Sequence, residues 1–238
     1  MIRAMKFINR QCYLHIILAC TFFSAFIYSQ SQPKLKTMHI TIPLSDKVNS
    51  HFERYLLFAY NQLGYKVIFD KILSARARKM VDAGRSDAIM IAEKEIVQVY
   101  RNMLKVPVMI AKGRLMLYCK KELYCDASVL NKTSNVIGVT SGRSLSANFM
   151  RSMQASTYAV KGAVNLGFML AKGRLNYALI VNEDQLGNIG DFDDNQFEKV
   201  EVYRTEGYHY IHKKHKNILP ELTQALQIAI EKYGPLVK

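Results

Sequence analysis

Ser141-Gly142-Arg143-Ser144 combines residue types that capture an anion. A glycine-containing turn that enters a helix offers unpaired backbone N–H groups and partial positive charge, and here two hydroxyls and a guanidinium join them. Ser144 taken alone is equally an ordinary helix N-cap. Ser45, Arg76, Glu93 and the Asn182-Glu183 pair stand in comparable turns. Glu93 and Glu183 suit a cationic group. Arg76 suits an acidic one, although Arg76, Arg78 and Lys79 read equally well as a solvated helix face. His209, His212 and His215 are close in sequence, but two lie on a β-like run and the third in a Lys-rich turn, so a metal centre is not expected. No G-x-S-x-G, H-E-x-x-H or P-loop pattern occurs, and neither catalysis nor a cofactor is expected.

The elements that must position these residues alternate between strand and helix. Met38–Ile42, Val67–Phe69 and Asp87–Ile91 are short apolar strand runs. Between them, Val48, Phe52, Tyr55, Leu56, Ala59 and Leu63 repeat at helical spacing up to Gly64, and a shorter helix over 74–83 ends at Gly84. Ile96, Val97, Tyr100 and Met103 have the spacing of a further helix. A long extended stretch, Lys105–Lys120, is interrupted at Lys112-Gly113. The pattern then restarts: strand 136–140, a helix carrying Leu145, Phe149 and Met153, strand 157–160, helix 164–172 and strand 177–181. Strand-like runs at 199–203 and 208–212 follow, and a last helix is spaced by Ile218, Leu222, Ala225, Leu226, Ala229 and Ile230. Strands separated by helices of this length imply an α/β fold of mostly parallel sheets with helices on both faces. Ligands in such folds sit off the carboxyl ends of the strands, which selects the turns named above.

Two segments resemble each other: Met80-Val-Asp-Ala-Gly84-Arg85-Ser-Asp87 and Met169-Leu-Ala-Lys-Gly173-Arg174-Leu-Asn176. Each reads as a helix closed by Gly in the left-handed region, with Arg at the negative end of the dipole. These units, Leu104-Lys-Val-Pro107-Val, Val136-Ile-Gly-Val-Thr-Ser-Gly142 and the Tyr208–His212 return strand resemble, in order and spacing, the bacterial extracellular solute-binding proteins of family 3. The resemblance spans nearly all of residues 36–236. It implies a two-lobed type II periplasmic-binding-protein fold, with two crossover strands as hinge. Lobe 1 would comprise 31–111 plus 205–238 and lobe 2 would comprise 112–204. It also implies a non-catalytic protein that closes on a small solute. The Ser141–Ser144 turn makes that solute anionic or zwitterionic in expectation, and a monomer serving a membrane permease or a sensor is expected. The chain departs from amino-acid binders of that family in two respects. Where they generally place an Arg for the α-carboxylate, it reads Ala92-Glu93-Lys94-Glu95. The Asp they usually carry at the end of a lobe-two strand for the ammonium group is matched only by Asn182-Glu183-Asp184, offset by a residue or two. The alternative reading is an exported α/β enzyme such as a hydrolase.

The chain of 238 residues begins with Arg3, Lys6 and Arg10, followed by a 17-residue run from Cys12 to Tyr28 broken only by His15, Thr21 and Ser24. A basic start, an apolar stretch and the polar exit Ser29–Pro33 make residues 1–30 a secretory signal peptide cleaved near Ser29, with the periplasm as destination. An uncleaved anchor is a second reading, and lipidation at Cys20 a third. Export removes most nucleic-acid partners and places Cys119 and Cys125, with five residues between them, in an oxidising compartment. A disulfide is expected there, with two buried thiols as the other reading. Half the residues are apolar and 22% are charged, enough for an ordinary core. The formal charge is +14.

Overall fold

A computed structural model describes residues 35–44, 46–141, 145–184, 186–190 and 192–234. The expected leader over 1–30 lies outside the described residues.

The first half contains strand β1 (Lys36–Ile42), helix α1 (Asp46–Gln62), β2 (Tyr65–Lys71), α2 (Ser74–Asp82) and β3 (Ala88–Glu93). The second contains β5 (Val136–Thr140), α3 (Leu145–Phe149), β6 (Ser156–Val160), α4 (Ala163–Ala171), β7 (Tyr177–Glu183) and the two-residue β8 (Gly187–Asn188). Two long strands join the halves, β4 (Met103–Lys120) and β9 (Phe197–His212), and α5 (Leu219–Tyr233) closes the described chain.

The halves repeat one topology. In the first, β1 lies between β2 and β3, all parallel; in the second, β5 lies between β6 and β7, again parallel. Each third strand then pairs antiparallel with a crossover strand, β3 with β9 and β7 with β4. Because β4 and β9 also pair with each other, from Met103 opposite His212 to Lys120 opposite Phe197, hydrogen bonding runs unbroken through β2-β1-β3-β9-β4-β7-β5-β6.

Alternation along the strands sends side chains to two faces, and helices bury both. In the first half, Met38, Ile40, Ala88 and Met90 join Phe52, Leu56 and Ala59 of α1 and Leu222, Leu226 and Ala229 of α5 in one apolar cluster. The opposite face packs Ile89 and Tyr210 on Ala77 and Val81 of α2. In the second half, Leu115 and Leu117 pack with Ile137, Val139 and Met150, while Met116 and Tyr118 pack with Leu166 and Leu170 of α4. The periodicity read from sequence therefore corresponds to buried stripes.

The two Gly-Arg units are structural equivalents. Gly84 and Gly173 have φ of 72° and 66°, and the next N–H reaches back across the helix end, Arg85 to the Met80 carbonyl and Arg174 to the Met169 carbonyl, both at 2.9 Å. This is a Schellman-type closure that needs positive φ. Cys119 and Cys125 form a disulfide with Cα atoms 5.7 Å apart.

Two sequence expectations are corrected. The helix expected from Ile96 to Met103 is a short 3-10 turn, Lys94–Gln98, and Met103 already begins β4. The break expected at Lys112-Gly113 is absent, because β4 continues through both residues with Glu206 and Thr205 as register partners.

Candidate functional site

The carboxyl ends of β3 and β7, the middle of both crossover strands and the start of α1 converge on a cavity of about 190 Å3. Helix α1 contributes Val48 and Phe52, and β3 contributes Ile91, Ala92 and Glu93. From the second half come Leu145, Val181, Glu183 and Ile189. The floor is the paired middle of β4 and β9, where Ala111 lies opposite Gly207, Lys112 opposite Glu206 and Gly113 opposite Thr205. Gly207 is required by close approach, since a Cβ there would lie 2.7 Å from Ile91 Cδ1 and 3.1 Å from Ala111 Cβ.

Most of the lining is aliphatic or aromatic. The ionisable lining side chains are Glu93, Glu183, Glu206 and Lys112. Glu93 is fixed by Arg78 of α2, whose guanidinium donates to Oε2 at 2.7 Å. These two side chains are only 10% and 8% exposed, so each charge is neutralised where solvent does little screening. Glu183, buried at the end of β7, accepts the Leu186 N–H at 2.7 Å. Glu206 accepts from the Tyr208 hydroxyl at 2.8 Å and lies 3.9 Å from the Lys94 ammonium. The Thr205 hydroxyl oxygen is buried with no hydrogen-bond partner among the described residues.

Hydrogen bonds brace the surroundings. The Tyr210 hydroxyl donates to the Glu93 carbonyl at 3.0 Å, and burial, with Glu93 and Glu95 nearby, pushes that phenol well up. The Tyr203 hydroxyl of β9 donates to Glu95 at 2.8 Å. That bond to the carboxylate, then partial burial, raises the Tyr203 phenol too.

Of the residues named from sequence, Glu93 and Glu183 line the cavity. Asn182 is buried outside the lining, its side-chain oxygen accepting from Tyr118 at 2.9 Å. Arg76 is exposed on α2, away from the lining; Arg78, two residues on, is the arginine that turns inward and is not a solvated group. Ser141 is exposed just after β5, with its N–H donating to the Val160 carbonyl. Ser45, Gly142, Arg143 and Ser144 lie outside the described residues, and the helix after them, α3, has only five residues. Sequence reading missed Val48, Phe52, Lys112, Thr205 and Glu206 as lining. The available signal was the crossover run near 204–212, which had to pass between the halves.

The three histidines turn to different partners. His209 is buried beside Tyr60 and the Met90 carbonyl, His212 accepts the Lys214 N–H, and His215 meets Asp87.

No protein-family model and no curated relative matches the sequence. Solved structures do match in shape. The substrate-binding protein of an amino acid ABC transporter superposes with a TM-score of 0.64 at 12% identity, covering 84% of this chain and 95% of that one. An ancestral arginine-binding protein bound to arginine gives 0.64 at 14%, covering 84% and 94%. An ABC uptake transporter substrate-binding protein from Streptococcus pneumoniae with bound histidine gives 0.64 at 13%, covering 83% and 88%. The repeated 2-1-3 strand order, the paired crossover strands and these superpositions agree: the chain has the two-lobed, type II periplasmic-binding-protein fold on which amino acid ABC transporter substrate-binding proteins are built.

Proposed function

We propose that the protein is an exported solute-binding protein that captures a small molecule in the cavity between its lobes. The observation that carries this reading is the cavity itself. It lies at the carboxyl ends of β3 and β7, draws its lining from both halves and has the two crossover strands as its floor. Open α/β sheets bind ligands at such switch points, and a largely apolar wall with a few fixed polar groups is the usual character of a small-molecule site. The solved neighbours with arginine or histidine bound support a solute of that size and nitrogen content.

The lobes are proposed as residues 31–111 plus 205–238 and residues 112–204, with β4 and β9 as the hinge. The packing of α5 with α1 and β1, and the separate apolar clusters of the two halves, support that division. The periplasm is the proposed location, after cleavage of the basic and apolar leader near Ser29. A membrane permease or a sensor would receive the loaded protein. No helix among the described residues is long and apolar enough to cross a membrane.

A thermal-shift screen against L-amino acids, amines, organic acids and oligosaccharides tests the reading. A solute at 100 times its Kd should add about 2.7 kcal/mol of stability. It should also be recovered unchanged. Failure of every class to raise the melting temperature, or consumption of the stabilising compound, would overturn solute binding as the function.

A further inference from the structure

We infer that the cavity selects a cation, an ammonium or guanidinium group on an apolar stem, and that it binds such an amine more tightly than the corresponding amino acid. This deepens the solute-binding reading and rests on it. Three observations carry it. First, the ionisable lining of the described residues is acidic: Glu93, Glu183 and Glu206 against Lys112 alone. An acidic ligand would bring its charge against this acidic lining in a mostly apolar enclosure where repulsion is poorly screened. Second, the arginine that approaches the cavity is already committed. Arg78 holds Glu93 at 2.7 Å with both side chains nearly buried, so its guanidinium is engaged with a protein acid rather than free for a ligand carboxylate. Third, the floor supplies a polar group with nothing to bond. The buried Thr205 Oγ1 has no partner among the described residues, and it sits one residue from Glu206 at the pairing with Lys112 and Gly113. A cation bonded to Glu206 or Glu183 that also donates an N–H to that oxygen would satisfy a buried group that otherwise loses its hydrogen bond. The aliphatic wall from Val48, Ile91, Val181 and Ile189 suits the stem.

The sequence-based expectation of an anionic or zwitterionic solute drew on the Ser141–Ser144 turn. Of that turn only Ser141 is described, and it is exposed and outside the lining.

Agmatine and L-arginine differ only by the α-carboxylate, so calorimetry with this pair isolates the question. Agmatine is expected to bind at least tenfold more tightly than L-arginine. Glu206→Gln should weaken agmatine about tenfold, the scale of one charge-assisted bond, with the unliganded melting temperature nearly unchanged. Lys112→Ala should leave agmatine binding equal or tighter, because it removes the cation opposite Glu206. Tighter binding of L-arginine, or loss of agmatine affinity in Lys112→Ala, would overturn the inference and leave the solute-binding reading standing. If neither compound binds while an organic acid does, the inference fails in the same way. If no compound of any class binds, the solute-binding reading fails as well.

Discussion

Arg78 and Glu93 show how one pair can serve both stability and the site. Each side chain is nearly buried, and each would be costly there without the other. Removing the guanidinium alone should leave a carboxylate poorly solvated at the cavity wall. Arg78→Met is expected to lower unfolding stability by about 3 kcal/mol, and Arg78→Met with Glu93→Leu should recover most of that loss. Urea unfolding of the two variants checks it; equal losses in both would mean that the pair contributes through packing rather than charge. At this scale the sequence was only partly legible. Glu93 and Glu183 were found because they follow strand ends. Arg78 was not, because in a run of Arg76, Arg78 and Lys79 nothing in residue type tells which side chain faces inward. The helix spacing of Ala77, Arg78 and Val81 sets it, and those are the buried residues of α2.

Elements meet through buried polar contacts as well as apolar ones. His209 of β9 sits between Tyr60 of α1 and the Met90 carbonyl of β3, at 2.8 and 3.1 Å. Burial holds its pKa at about 4, against the usual 6.5, so the imidazole is neutral at pH 7. Its Nδ1–H donates to Met90 and its Nε2 accepts the Tyr60 hydroxyl, whose own pKa burial raises. The unfolded chain protonates this histidine first as pH falls. The contribution is therefore fully present above about 6.5 and is lost between about 6.5 and 4, amounting to about 3 kcal/mol. Asp87 adds to the loss at lower pH. Burial opposes its ionisation, but hydrogen bonds from Lys214, the His39 N–H and His215 outweigh that and lower its pKa. Its share is present above the unfolded value near 3.9 and disappears as pH falls through the depressed one. Urea midpoints measured from pH 7 to pH 4 should fall steadily; a flat profile would show that His209 is not held neutral by the fold. Element boundaries were legible where an apolar stripe met a Gly stop, as at Gly64, Gly84 and Gly173. They were misread at 96–103 and 112–113. In the first case four apolar residues satisfied helical spacing although the last belongs to a strand; in the second a local Lys-Gly signal yielded to fourteen register pairs with β9.

The whole molecule is one α/β pattern used twice and joined by two paired strands. Its class was legible because strand and helix periods alternate, restart after 120 and repeat the Gly-Arg closure 89 residues apart. The ligand chemistry was not, because the cavity gathers residues from six separated segments and single side chains there decide the charge. Solute capture, as proposed, requires that the solute occupy that cavity. The chain contains no Trp, so Val48→Trp places a lone indole at the wall, and Ile228→Trp places one on the outer face of α5 as a control. A solute that raises the melting temperature of the parent protein should shift the emission of Val48→Trp saturably, or lose its stabilising effect there because the indole fills the space. It should stabilise Ile228→Trp fully without changing its emission. Full stabilisation of Val48→Trp with unchanged emission would place the solute elsewhere and contradict the account.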